Sequence, residues 1–140
     1  MASISEMSES KLLYTMVNTR IKTKFVKKDG NRLVNPLPGT ILDHSVLKKD
    51  AYDFFLISTN CRQGVPTPSH YTVLIDETGK GPEEIQKFVY KLSYMYYNFS
   101  GAVKIPAPMK YSTRLATMIS ENGISNPHER FDSIKGLYFI

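Results

Sequence analysis

The sequence predicts an α/β domain with a mixed sheet packed by helices. Three observations lead there. Two apolar, β-rich runs, Tyr52–Ser58 (YDFFLIS) and Tyr71–Ile75 (YTVLI), read as strands buried on both faces. After Pro82, the residues Ile85, Phe88, Val89, Leu92 and Met95 recur at helical spacing. A second helical pattern follows Pro106-Ala107-Pro108. Strands followed by a helix, a strand and a helix form an α/β layer arrangement. At 140 residues the chain suits one domain.

The elements follow in order. Residues 1–11 read as a disordered leader, and 12–140 as the folded part. Leu12–Val26 is apolar and β-branched, one long strand or two short ones. Lys28-Asp29-Gly30-Asn31 is a turn signal. Asn35-Pro36-Leu37-Pro38-Gly39 is a rigid loop, because Pro fixes φ. Asn60–Ser69 is a loop with Gly64, Pro66 and Pro68. Asp76 and the Thr78–Gly81 turn end the second buried strand. Pro82 suits the first helical position, and Glu83 and Glu84 favour the positive helix end. That helix is expected to run to about Asn98. Val103 and Ile105 suggest a short strand. The next helix runs from about Met109 to Glu121, with Tyr111, Leu115, Met118 and Ile119 on its apolar side and Gly123 past its end. The final Leu137-Tyr138-Phe139-Ile140 is too apolar for a free tail.

Composition excludes several classes. Hydrophobic residues make up 41% and charged residues 22%, a globular balance. No apolar run approaches the roughly 18–20 residues of a membrane span. The polar opening MASISEMSES is no secretory signal. One cysteine, Cys61, permits neither an intrachain disulfide nor a cysteine-based zinc site. A reducing compartment, cytoplasmic or nuclear, is expected rather than secretion.

The positive charge is concentrated. Residues 11–32 carry seven Lys and Arg against Asp29 alone, a local excess above the net +5 of the whole chain. Arg20, Lys22 and Lys24 alternate with Ile21, Thr23 and Phe25, so on a strand they share one face. Such a stripe suits a phosphate backbone, or simply protects a solvated edge strand. Spacing alone favours the second.

Enzymatic constellations are sparse. His70 lies nine residues from Cys61, and only Arg62 would favour a thiolate. His44, His70 and His128 are too scattered for a zinc set. His70, entering a buried strand, reads as a hydrogen-bonded core histidine. Asp76 and Glu77 read as strand-end turn acids, because a two-metal site needs further carboxylates. No phosphate-cradling glycine motif occurs. The cluster Tyr90, Tyr94, Tyr96 and Tyr97 reads as half core and half hydrogen-bonding surface.

The order of YDFFLIS, CRQGVPTPSHYTVLID, KFVYKLSYMYYNFSGAVKIPAPMKY and the terminal LYFI resembles the C-terminal half of a Piwi domain. The likeness is to the Argonaute family, and within it to the Piwi clade. VNTRIKTKF and NPLPGT match in place. The resemblance implies part of a ribonuclease-H-like α/β fold that holds a small guide RNA and, in active members, cuts the paired target RNA. It also implies a cutting site of three acids and a final His or similar residue around divalent metal. The three acids belong to the half-domain that would precede this chain. The fourth position falls on Thr113, which is no substitute for imidazole as ligand or base.

Guide-holding positions are better matched. The resemblance implies guide contacts from Arg20, Lys24, Gln63, Tyr96, Lys104 and Lys110. Thr67 stands where the family often has Arg. The carboxylate of Ile140 matches the family's C-terminus near the guide 5′ phosphate and, in Piwi-type members, a bound Mg²⁺. No cofactor is implied for the chain alone. With the resemblance, the basic stripe reads as RNA-facing. The expected function is guide binding within a Piwi-type Argonaute, without cleavage by this chain, alongside the remaining Argonaute domains. The alternative is a protein-interaction module for a Trp-rich peptide.

Overall fold

A computed structural model describes residues 11–43 and 52–123. The expected leader, but for Lys11, lies outside them, as do His44, His128 and the terminal LYFI with Ile140.

Six strands and two helices follow one another: β1 (Leu13–Asn18), β2 (Lys27–Asp29), β3 (Arg32–Val34), β4 (Thr40–Asp43), β5 (Tyr52–Ile57), β6 (Ser69–Asp76), α1 (Pro82–Leu92) and α2 (Ala107–Glu121). A four-stranded sheet has the order β1-β6-β5-β4, and β2 and β3 form a separate ribbon. The α/β class matches expectation, and the two apolar runs form β5 and β6, adjacent at the centre of the sheet. The mixed sheet does not match it: every pairing among the described residues is antiparallel.

The core lies on one face of the sheet. Phe54 and Leu56 of β5 and Tyr71 and Val73 of β6 pack with Ile85 and Val89 of α1. Phe54 and Tyr71 stack with ring centres 4.9 Å apart. Phe88 and Met95, expected in this core, are 49% and 64% exposed. The buried place on α1 goes to Gln86, whose amide donates to the Tyr52 hydroxyl and to Asp43 Oδ2. Leu74 and Ile75 are also exposed. The β5 pairing begins at Tyr52 opposite Val73, so the end of β6 is covered by β1 alone.

Three expected elements are cut short, each for a local reason. The Leu12–Val26 strand stops at Asn18. Asn18 pairs with His70, and β6 begins one residue earlier, behind a proline that has no N–H to offer. The Asn18 side chain also accepts from Arg20 N at 3.1 Å, replacing a ladder bond. The first helix ends at Leu92 instead of near Asn98. The Ser93 carbonyl accepts from Val103 N at 2.8 Å, and Tyr97 N turns to the Tyr111 hydroxyl at 2.7 Å. That bond from Val103 is also why Val103–Ile105 is a pinned loop rather than a strand.

α2 starts earlier than the expected Met109, with Pro106 at its N-cap. Tyr111 is its buried anchor, Leu115 and Ile119 are half-buried, and Met118 is exposed. Gly123, at φ +64°, makes the left-handed exit.

Candidate nucleic-acid interface

The loop from Ser93 to Pro106 and the start of α2 build the site. Tyr111 fixes the loop from below: its hydroxyl accepts from Tyr97 N and donates to Met95 O at 3.2 Å. Between those anchors the Tyr96 ring lies 5.2 Å from the Tyr111 ring. The Lys110 ammonium stands 5.9 Å from the centre of the Tyr96 ring, within cation–π range.

Lys104 is held from both ends. Its carbonyl accepts from Ser58 Oγ at 3.1 Å and Ser69 Oγ at 3.0 Å, both nearly fully buried. Its ammonium donates to Thr19 O at 3.0 Å, which ties the segment after β1 to the loop. Arg20, exposed, follows immediately.

These parts surround a groove of about 860 Å³ lined by Arg20, Lys104, Lys110 and Arg114 with Tyr96 and Phe99. Thr19, Thr59, Asn98, Ala102, Val103 and Ile105 complete its walls, and no carboxylate is among them. Four cations along walls that hold no carboxylate suit a polyanion, and the rings offer faces for bases.

The groove therefore gathers four expected guide-contact residues: Arg20, Tyr96, Lys104 and Lys110. Lys24 and Gln63 lie apart from it. Lys24 Nζ donates to Val65 O at 3.4 Å, on the β5–β6 loop that also carries exposed Gln63. Asn35 Nδ2 pins the same loop through Gly64 O at 2.8 Å. Lys22 is exposed and lines neither place. Thr113 is exposed on α2, its hydroxyl donating to Met109 O at 2.9 Å. Ile140 is outside the described residues.

The other polar residues have local roles. Asp76 accepts from Thr78 N and Oγ1, and these bonds hold its carboxyl below the usual range. Glu77 Oε2 accepts from Leu12 N. His70 is half-buried rather than core, stacked on Phe55 at 4.5 Å with Asp53 Oδ2 3.6 Å from Nε2. Among the described residues no three His, Cys, Asp or Glu side chains come together as a metal set. Two features escaped the sequence reading. Phe99 is exposed at the groove, and its signal is an aromatic inside a polar turn, Asn98-Phe99-Ser100-Gly101. Asp53 has a buried Oδ1 with no hydrogen-bond partner, and its signal is an acid within an otherwise apolar strand.

The model of the Piwi domain family matches residues 1–123. The chain belongs to that family. It is 46% identical to Protein argonaute-3 of Drosophila melanogaster over 112 residues, covering 80% of this chain and 13% of that protein. It is 36% identical to Piwi-like protein 1 of Danio rerio over 132 residues, covering 94% of this chain and 15% of that protein. Among solved structures, Drosophila Piwi superposes with a TM-score of 0.66 at 37% identity, over 78% of this chain and 15% of that one. Kluyveromyces polysporus Argonaute with a guide RNA superposes with a TM-score of 0.69 over 93% of this chain and 18% of that one. At 21% identity it supports the fold alone. The ribonuclease-H-like Piwi fold is thus the fold to which this chain belongs, and the chain spans about one seventh of the length of these relatives. Among the described residues no helix is long and apolar enough to cross a membrane.

Proposed function

We propose that residues 12–140 are the C-terminal part of a Piwi domain. In this reading they hold the backbone of a small guide RNA in a Piwi-type Argonaute, in the cytoplasm or nucleus. The observation that carries it is the acid-free groove on which Arg20, Lys104, Lys110 and Arg114 meet Tyr96 and Phe99. Each phosphate neutralised on a single strand adds roughly 0.7 to the salt slope of binding. The test is titration of the 140-residue chain with a 5′-phosphorylated single-stranded RNA at several salt concentrations. Arg20→Ala and Lys110→Ala should each lower affinity and slope, whatever the RNA sequence. An unchanged slope in both variants would remove the groove from the RNA path.

Cleavage is not part of this proposal. Thr113 stands where the family resemblance expects imidazole, and its hydroxyl is engaged with the preceding helical turn. A hydroxyl does not ionise near pH 7. With Mg²⁺, a guide and a matched target, the chain should leave the target intact. Guide-dependent cutting that vanishes on Thr113→Ala would overturn this.

A further inference from the structure

Holding a phosphate backbone calls for cations and leaves one groove residue without a role. Phe99 lines the groove and is 55% exposed, and a hydrocarbon ring adds nothing to the attraction of phosphate. The ring is presented on a closed turn. Tyr97 N donates to the Tyr111 hydroxyl at 2.7 Å and Val103 N to Ser93 O at 2.8 Å, so residues 97–103 leave and rejoin the fold at pinned points. Between those pins Phe99 N donates to Tyr96 O at 3.2 Å. Gly101 makes room for the ring. A Cβ there would stand 3.0 Å from Phe99 Cε1, closer than ordinary contact allows. The Gly101 backbone lies outside the left-handed region, so the close ring, not the chain path, excludes a side chain. Tyr96, the other ring of the groove, is already engaged with the Tyr111 ring and the Lys110 ammonium. No ring among the described residues pairs with Phe99.

We infer that Phe99 is a stacking platform for one unpaired base of the bound strand. The inference rests on the RNA reading of the groove and adds a base subsite to it. Arg20, Lys104 and Lys110 take phosphates, and the exposed ring takes the face of a base. Every base has such a face, so the platform is indifferent to sequence. A base inside a duplex would first have to leave its pair and its stack, so the platform favours a single strand over a duplex.

The test is titration of the 140-residue chain with a fluorescein-labelled, 5′-phosphorylated single-stranded RNA. The control is an oligomer of abasic ribose spacers of equal length, which keeps the phosphates and lacks the bases. Phe99→Ala and Phe99→Leu should each weaken RNA binding about tenfold, the loss of one base–ring stack. Both should leave the salt slope and the binding of the abasic oligomer unchanged. Leucine keeps the apolar bulk without the ring, so its failure to rescue separates stacking from a filling role. Gly101→Ala, which displaces the ring, should weaken RNA binding in the same way. The chain has no tryptophan, so Phe99→Trp places a lone indole on the turn. That variant should keep its affinity, and RNA but not the abasic oligomer should quench its fluorescence. Phe99 is exposed, and circular dichroism checks that the variants keep the fold. The inference alone is overturned if Arg20→Ala lowers the slope while Phe99→Ala and Phe99→Leu bind RNA as the parent does. It is also overturned if the abasic oligomer quenches the indole as RNA does. If Arg20→Ala and Lys110→Ala both leave the slope unchanged, the groove reading falls and this inference falls with it.

Discussion

The Ser58 hydroxyl donates to the Lys104 carbonyl at 3.1 Å, across 46 residues of sequence. Ser69 donates to the same oxygen. Ser58 directly follows β5, Ser69 opens β6, and Lys104 lies on the groove wall. The central strands thereby set the position of a cation that would meet phosphate. The link uses the carbonyl alone and leaves the ammonium free to reach Thr19.

This relationship makes the first prediction. Either serine alone can satisfy the carbonyl, so Ser58→Ala or Ser69→Ala should cost about 1 kcal/mol. The double variant leaves a half-buried acceptor unpaired and should cost more than the sum of the two. Thermal unfolding of the three variants measures the excess. RNA affinity should fall in the double variant beyond either single one, because the loop carrying Lys104 loses both ties. Additive stability losses would show that the two bonds act independently.

The second prediction separates the cations of the basic segment. Arg20 lines the groove, whereas Lys22 does not and Lys24 is turned toward Val65. Arg20→Ala should lower the salt slope by roughly 0.7, the value for one phosphate on a single strand. Lys22→Ala should leave it unchanged. Equal losses would mean that RNA follows the whole stripe.

That contrast shows what the sequence could and could not reveal. Alternation suggested one shared face for Arg20, Lys22 and Lys24, but they lie past the end of β1: all three are exposed, as is Thr23, and only Arg20 lines the groove. It could not reveal that the ladder ends at Asn18, because that depends on where β6 begins, fifty residues away. The strands β5 and β6 were legible from their apolar runs. The end of α1 was not, because Val103 captures the Ser93 carbonyl from outside the helix. Apolar spacing likewise suggested Phe88 for the core, but a polar network with Tyr52 and Asp43 gave the place to Gln86. The groove residues came from motif resemblance. Phe99 needed the fold, because only the loop's path brings it beside Arg20.

Asp53 carries the third prediction. Its Oδ1 is buried without a partner, and the nearest cationic candidate, His70, is 3.6 Å from the other oxygen. A buried polar group left unsatisfied costs about 1–3 kcal/mol. Asp53→Val removes that cost and places a β-branched residue in a central strand. Its melting temperature should rise above that of the parent chain. A fall would mean that the contact with His70 outweighs the desolvation of the carboxylate.

The last prediction concerns alkaline pH. Burial pushes the Tyr71 hydroxyl well above the ordinary tyrosine range, opposed in part by the neighbouring Ser69 hydroxyl, although no hydrogen bond of ordinary geometry reaches it. Tyr52 is raised by burial and then by its bond to Asp43. Tyr90 is pushed up to about 12, first by burial and then by the neighbouring Tyr94 hydroxyl at 2.7 Å. In the unfolded chain these groups lose their protons near the ordinary value of 10.0. Above that pH the unfolded state binds fewer protons than the folded one, so stability falls as pH rises. The contribution is complete below pH 10.0 and is lost progressively through the Tyr90 range near 12. Thermal unfolding followed from neutral to alkaline pH should show the decline. Phenolate absorbance should show a fraction of the tyrosines ionising only as the fold opens. Tyr71→Phe should reduce the decline. At neutral pH it should also stabilise the chain, by up to about 1–3 kcal/mol, since it deletes an orphaned buried hydroxyl. A less stable Tyr71→Phe variant at neutral pH would mean that the hydroxyl finds a partner in solution.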